Sequence, residues 1–121
     1  MKSALSDYTI NSSVTIKESI RVITGNFTRC GVIINSQQKV LGVLSEGDIV
    51  RSVTDEISLF APVEKITNPS FCFAKDRDIA KAFSLLCSKG VTLLPIVDDD
   101  FKLLDVITIH DILDSVELKR K

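Results

Sequence analysis

Apolar residues return along this chain with two different periods, and the periods alternate. Ile16, Ile20, Ile23 and Phe27 recur at spacings of four, three and four, and Ile79, Phe83 and Leu86 follow at four and three. Each set predicts one apolar face of a helix. Thr15-x-x-Glu18 reads as a capping box for the first helix, and Asp76 or Asp78 as the cap of the second. Short β-branched runs, Cys30 to Ile34 and Leu93 to Val97, are each followed by polar residues (Asn35 to Lys39, Asp98 to Lys102) and a further apolar run, which predicts hairpins. A last helix follows each hairpin, with Ile49, Val50 and Val53 in one and Ile112, Leu113 and Val116 in the other expected to face inward. Between the two series, Asp55 to Pro69 contains Pro62 and Pro69, which interrupt any helix and make this a linker that begins the second series.

The two series are copies. Ile33-Ile34-Asn35 aligns with Ile96-Val97-Asp98, Val40-Leu41-Gly42-Val43-Leu44 with Leu103-Leu104-Asp105-Val106-Ile107, and Ser45-Glu46-Gly47-Asp48 with Thr108-Ile109-His110-Asp111, all at a constant offset of 63 positions. Repeat one spans about 1–56 and repeat two about 57–121. A unit of that size is marginal alone, so the repeats are expected to pack as one domain, 1–121, of α+β class.

Composition narrows the function classes. The chain has 121 residues, 45% hydrophobic and 26% charged, which fits one compact folded domain and excludes disorder. Fifteen Lys and Arg against sixteen Asp and Glu give a net charge of -1, without the basic excess of a nucleic-acid binder. No apolar run reaches the roughly 18 residues of a membrane span, and Met1-Lys2-Ser3-Ala4 lacks the apolar core of a signal peptide, so a cytoplasmic location without membrane partners is expected. Cys30, Cys72 and Cys87 have no C-x-x-C spacing and share the chain with one histidine, which suggests core residues rather than disulfides or a metal site.

One chemical motif occurs twice. Ser45 precedes Asp48 by three positions, and Thr108 precedes Asp111 by three, each just after a predicted strand. S/T-x-x-D can be a capping box and nothing more. The same geometry suits a ligand: a helix N-terminus and its hydroxyl receive a phosphate, and an aspartate one turn on accepts hydrogen bonds from ribose hydroxyls.

With Ile33-Ile34-Asn35, the stretch Val40 to Arg51, Leu94 to Asp98 and Leu104 to Leu113 in view, the chain resembles a tandem pair of cystathionine-β-synthase (CBS) domains, a Bateman module. The resemblance implies two βαββα repeats packed as a pseudo-twofold pair, two clefts for adenine nucleotides or related ligands, and frequent homodimers. It also implies that each cleft is shared between repeats. Carried over by position, Ser45 and Asp48 would work with Thr67, Asn68, Phe71, Val91 and Thr92, and Thr108 and Asp111 with Tyr8, Ile10, Thr28 and Arg29. Phe71, Val91, Tyr8 and Ile10 would enclose a base, and Arg29 or Arg51 would meet a phosphate. The regulatory ligand implied is AMP, ADP or ATP, with no cofactor. Asp105 stands where the first repeat has Gly42, and His110 where it has Gly47; a carboxylate beside a phosphate would repel it.

Asp7 to Ser19, Ser45 to Val53 and Ile57 to Ile66 also resemble the N-terminal CBS pairs of bacterial sugar-phosphate nucleotidyltransferases. That resemblance implies a catalytic domain linked after the second repeat, with Lys119 to Lys121 as the start of the connection. The chain has no Gly-rich phosphate loop, no evident acid/base pair and no metal set, so it is expected to be non-catalytic. A structural dimerisation module is the alternative to a nucleotide sensor, and the apolar faces of Ile49, Val53, Ile112 and Val116 point to a homodimer under either.

Overall fold

A computed structural model describes residues 4–119, with side chains as far as Ser115. A 3-10 turn, Leu5–Tyr8, leads into β1 (Thr9–Asn11), α1 (Ile16–Gly25), β2 (Cys30–Ile34), β3 (Val40–Ser45) and α2 (Glu46–Thr54). A second 3-10 turn, Val63–Ile66, leads into α3 (Ile79–Lys89), β4 (Leu93–Val97), β5 (Leu103–Thr108) and α4 (Ile109–Lys119). The first sheet has order β1-β2-β3, with β1 parallel and β3 antiparallel to β2; the second is the antiparallel pair β4-β5. The leading strand of the second repeat is reduced to one parallel bridge, Ala74 with Ile96, where the first repeat pairs Ile10 with Ile33.

The internal repeat is visible in detail. Thr15 caps α1 by accepting from the Glu18 N–H, with Glu18 returning to the Thr15 N–H, and Asp78 caps α3 by accepting from the Lys81 N–H. The ladder slips at Ile33/Ile34 and again at Ile96/Val97. Both hairpin turns are closed by a side chain: Asn35 Oδ1 accepts from Gln37 and Lys39 N–H, Asp98 Oδ1 from Asp100 and Lys102 N–H. The Lys102 N–H, above the other groups around it, holds Asp98 below the usual carboxylate range.

The two hairpin turns then pair with each other. Val40 N–H donates to the Phe101 carbonyl at 2.8 Å and Leu103 N–H to the Gln38 carbonyl at 3.0 Å. Shifting either bond by 63 positions gives the other, the signature of a twofold relation. Gln38 and Phe101, the residues whose carbonyls accept, have φ of 66° and 62°, so side chains other than glycine hold the left-handed conformation to aim those carbonyls across the axis.

Three apolar clusters follow from this arrangement. Val32, Ile34, Leu93, Val97 and Val106 meet between the two sheets, joined by Leu5 and Tyr8. Ile10, Ile16, Ile23, Ile33 and Leu44 fill the space between the first sheet and α1, and Ala82, Leu86, Leu94, Ile96, Ile107 and Ile112 do so in repeat two. The linker belongs to the first of these helical clusters. Val63 is fully buried there, and Ala61 and Leu59 carbonyls accept from the Ile16 and Lys17 N–H groups.

Several expectations about the core need correction. Phe27 lies past the end of α1 and is 83% exposed, because Asn26 ends the helix. Ser19, not a further apolar residue, completes the buried face of α1, its hydroxyl donating to the Ile16 carbonyl. Phe83 is half exposed and Ala82 takes its place against the sheet. Val50, Val53 and Leu113 point to solvent, since Ile49 and Ser52 on α2 and Ile112 on α4 occupy the inner faces. Val116 is expected on the inner face of α4, and its side chain lies outside the described residues, as does the end of the Lys119 to Lys121 run. Cys87 is exposed and Cys72 half buried; of the three cysteines only Cys30 is core.

Two glycines give opposite predictions. A Cβ on Gly42 would lie 2.5 Å from the Asn68 carbonyl oxygen and 2.6 Å from Thr67 Cγ2, where the linker crosses β3, whereas one on Gly25 meets nothing within 4 Å. Gly42→Ala is expected to lower unfolding free energy by about 1–3 kcal/mol. Gly25→Ala is expected to raise it by about 0.5–1 kcal/mol, both read from urea melts.

Candidate functional site

The repeated S/T-x-x-D motif sits where each sheet hands over to a helix. Ser45 ends β3 and caps α2: its Oγ accepts from the Asp48 N–H at 3.3 Å, while its own N–H donates to Asp48 Oδ2 at 2.8 Å. Thr108 and Asp111 repeat this at α4, at 3.2 and 2.9 Å. Both are true capping boxes, so the structural role exists whatever else the residues do. A capping box leaves the remaining N–H groups of the first helical turn unpaired and directed at whatever lies in front.

In front of Ser45 and Asp48 lies a cleft of about 570 Å³ between the repeats. Phe71, Val91, Val43 and Leu93 form apolar walls, and Cys30, Cys72, Ser70 and Lys89 complete the lining. Asp48 is also paired with Arg51, which extends to solvent and does not line the cleft. Of the residues grouped with Ser45 and Asp48, the fold brings Phe71 and Val91 into the lining and leaves three outside it. Thr67 and Asn68 are held at the Gly42 crossing, and the Thr92 hydroxyl donates to the Thr28 carbonyl at 2.8 Å.

A second cleft, about 530 Å³, opens before Thr108 and Asp111, with Leu5, Tyr8, Phe27, Ile79 and Val106 on its walls. Its charged lining is Arg77, Asp105, Asp111 and Asp114, beside His110, whose ring meets Phe27 edge-on at 6.1 Å. Of the residues grouped with this pair, Tyr8 lines the cleft and Ile10, Thr28 and Arg29 do not. Ile10, on β1 beside β2, is buried in the cluster between the first sheet and α1. Thr28 is buried and hydrogen-bonded to Asn26, whose side chain ties together the Val22 and Cys30 carbonyls and the Thr28 and Arg29 N–H groups. Arg29 pairs with Glu46 at 3.2 Å on the surface.

A groove of similar size, about 600 Å³, runs beside α1, where Lys17 lies over the Phe60 ring. It contains neither motif aspartate. Among the described residues, no group of three or more His, Cys, Asp and Glu side chains is placed to hold a metal ion, and no helix is long and apolar enough to cross a membrane.

Sequence reasoning passed over the cations that face the clefts, Lys89 and Arg77. Lys89 had a local signal. It occupies the last turn of α3, just before Gly90, whose φ of 65° ends the helix, and this delivers Lys89 next to Val91. Arg77 had none, because its partners Asp105 and Asp111 are distant in sequence.

Two repeats facing each other through their hairpins, with a helix N-terminus at each of two shared clefts, define a paired, internally duplicated module. The CBS domain profile matches residues 4–55 and 63–118, and the chain belongs to the CBS domain family. An uncharacterised 17.7 kDa protein of Acidianus ambivalens is 28% identical over 106 residues, covering 87% of this chain and 64% of that protein. Among solved structures, the CBS domain protein PAE2072 from Pyrobaculum aerophilum, complexed with AMP, superposes with a TM-score of 0.75 at 21% identity, over 100% of this chain and 95% of the other. The CBS domain pair of protein MJ0100, in complex with 5'-methylthioadenosine and S-adenosyl-L-methionine, superposes with a TM-score of 0.76 at 20% identity, over 93% of this chain and 89% of the other. Likeness at this identity establishes the fold. The chain spans 64%, 32%, 43% and 21% of the lengths of four curated relatives, so the same pair occurs within longer proteins.

Burial, opposed by the Thr92 hydroxyl and assisted by the Asp48 charge, pushes the Cys30 thiol up. A thiol raised on folding contributes stability at neutral pH that is lost as the pH climbs through its folded value. At pH 7.5 a disulfide reagent is expected to label Cys87 first, Cys72 more slowly and Cys30 last, on unfolding. Labelling of native Cys30 as fast as Cys87 would contradict its burial.

Proposed function

We propose that this chain is a regulatory module that senses an adenine nucleotide, AMP, ADP or ATP, in the cleft before Ser45 and Asp48. The observation that carries the reading is the conjunction, in one apolar-walled cleft, of a capped helix N-terminus, an acidic residue one turn on and a cation. Phe71 and Val91 offer faces for a base, Asp48 an acceptor for ribose hydroxyls, and Ser45 with the α2 amides a seat for phosphate. Lys89 supplies the opposing charge. The pairing of Asp48 with Arg51 is compatible with this, since a carboxylate accepts several donors. The adenosine-containing ligands of the PAE2072 and MJ0100 structures support the same class of ligand.

The chain performs no chemistry of its own in this reading; it reports on a cytoplasmic nucleotide to a protein or domain attached to it. A sugar-phosphate nucleotidyltransferase domain is the attachment suggested by the sequence resemblance, on which it rests alone. The second reading, a dimerisation module, is favoured by Val50, Val53 and Leu113, apolar side chains between 53% and 60% exposed on α2 and α4. A homodimer that covers them is compatible with sensing. Sedimentation at tens of micromolar, a concentration chosen for a modest interface, is expected to give a dimer that Val53→Glu dissociates.

Asp48→Ala separates sensing from capping. Loss of two charge-assisted hydrogen bonds is expected to weaken AMP or ATP binding by roughly 2–4 kcal/mol, about thirty- to a thousandfold, in calorimetry. If Asp48 only caps α2, stability falls by about 1 kcal/mol and affinity stays as it was. Absence of any thermal shift with AMP, ADP, ATP, GTP or S-adenosylmethionine at millimolar concentration would overturn the sensor reading.

A further inference from the structure

The two clefts descend from one repeated unit, yet their charges differ in a way that bears on occupancy. The charged groups lining the first are Asp48 and Lys89, one of each sign. Those lining the second, among the described residues, are three aspartates, Asp105, Asp111 and Asp114, and one cation, Arg77. That cation is already committed. Arg77 Nη1 donates to Asp105 Oδ2 at 2.9 Å and to the Val106 carbonyl at 3.0 Å, and Nη2 lies 3.3 Å from Asp111 Oδ2. The same Asp111 oxygen accepts from the Thr108 N–H. The guanidinium thus reaches from the segment before α3 onto both β5 and α4, and is spent on groups of the cleft itself.

Repeat one has neither half of this clamp. Counting back 63 positions, Val14 stands in place of Arg77 and Gly42 in place of Asp105. Val14 packs against the apolar cluster around α1, and Gly42 has no space for any side chain because the Asn68 carbonyl fills it. A phosphate at the α2 N-terminus therefore meets one acid, Asp48, balanced by Lys89 in the same lining. A phosphate at the α4 N-terminus meets an excess of two negative charges inside a partly enclosed space, where screening is weak.

We propose that the acidic excess of Asp105, Asp111 and Asp114 over the committed Arg77 shuts the second cleft to nucleotides, so that each chain binds one equivalent, in the first cleft. This rests on the sensor reading and sharpens it: the repeats are copies in fold and unequal in function, one a receptor and the other closed by its own negative charge. Asp105 and Asp114, the acids beyond the motif aspartate, are then the residues that set stoichiometry.

Calorimetric titration with AMP and with ATP tests this. Wild type is expected to bind one equivalent per chain, lost or weakened at least thirtyfold in Asp48→Ala. The double variant Asp105→Asn with Asp114→Asn, which leaves one charge of each sign as in the first cleft, is expected to take up a second, weaker equivalent that persists when Asp48→Ala is added. Should that pair compromise folding in a thermal melt, Asp114→Asn alone, which leaves the Arg77 ion pairs intact and lowers the excess to one charge, is expected to show the second equivalent more weakly still. Two equivalents in wild type, one surviving Asp48→Ala, would overturn the proposal and leave the sensor reading standing. A folded double variant with no second equivalent would overturn it too, and absence of nucleotide binding in every variant would overturn both.

Discussion

β2 and β4 are apolar on both faces, and this constraint governs the rest of the molecule. In β2, Cys30, Val32 and Ile34 face the opposite sheet while Ile33 faces the α1 side; in β4, Leu93 and Val97 face the opposite sheet while Leu94 and Ile96 face α3 and α4. A helix pair can cover only one side. The other is satisfied by the equivalent strand of the second repeat, so neither repeat is complete alone, and the reciprocal bonds between the hairpin turns fix how they meet.

That mode of pairing creates the clefts. Each hairpin ends against a helix N-terminus, and because the 3-10 turns reach across the seam, each helix start is faced by residues that precede or follow strands elsewhere. The Leu5–Tyr8 turn meets β5 of repeat two as well as α1 and β2 of its own repeat, while Val63 is buried in repeat one. The capping boxes at Ser45 and Thr108 serve stability first. Any ligand-binding role is superimposed on a geometry that folding already requires, which is why a short motif of this kind carries weight only through its surroundings.

The asymmetry between the clefts illustrates how a duplicated unit can diverge without losing its fold. Gly42 is held as glycine by the crossing linker, whereas position 105 accepts a carboxylate and, with it, a guanidinium partner at position 77. The capping hydrogen bonds and the strand slips are preserved in both repeats. The charges facing the clefts are not.

Periodicity and an offset of 63 were enough to place the helices, hairpins, caps and the duplication, since all of these depend on local spacing and on a comparison of the chain with itself; the twofold relation came from the family resemblance. The motif pairs Ser45–Asp48 and Thr108–Asp111 were legible for the same reason. The sequence also named Phe71, Val91 and Tyr8 as cleft neighbours, through a family resemblance rather than through chemistry. It did not reveal that Phe27, Val50, Val53, Phe83 and Leu113 face water, because an apolar residue near a helical stripe looks the same whether the last few tens of degrees turn it in or out. Nor did it separate Thr28, Arg29, Thr67, Asn68 and Thr92, which stand in turns committed to their own hydrogen bonds, contacts and ion pairs, from Lys89 and Arg77, which reach the clefts. Which charge faces which cavity depends on side chains meeting across long stretches of sequence, as Arg77 does with Asp105 over 28 positions, and only the folded chain brings such groups within an ionic contact.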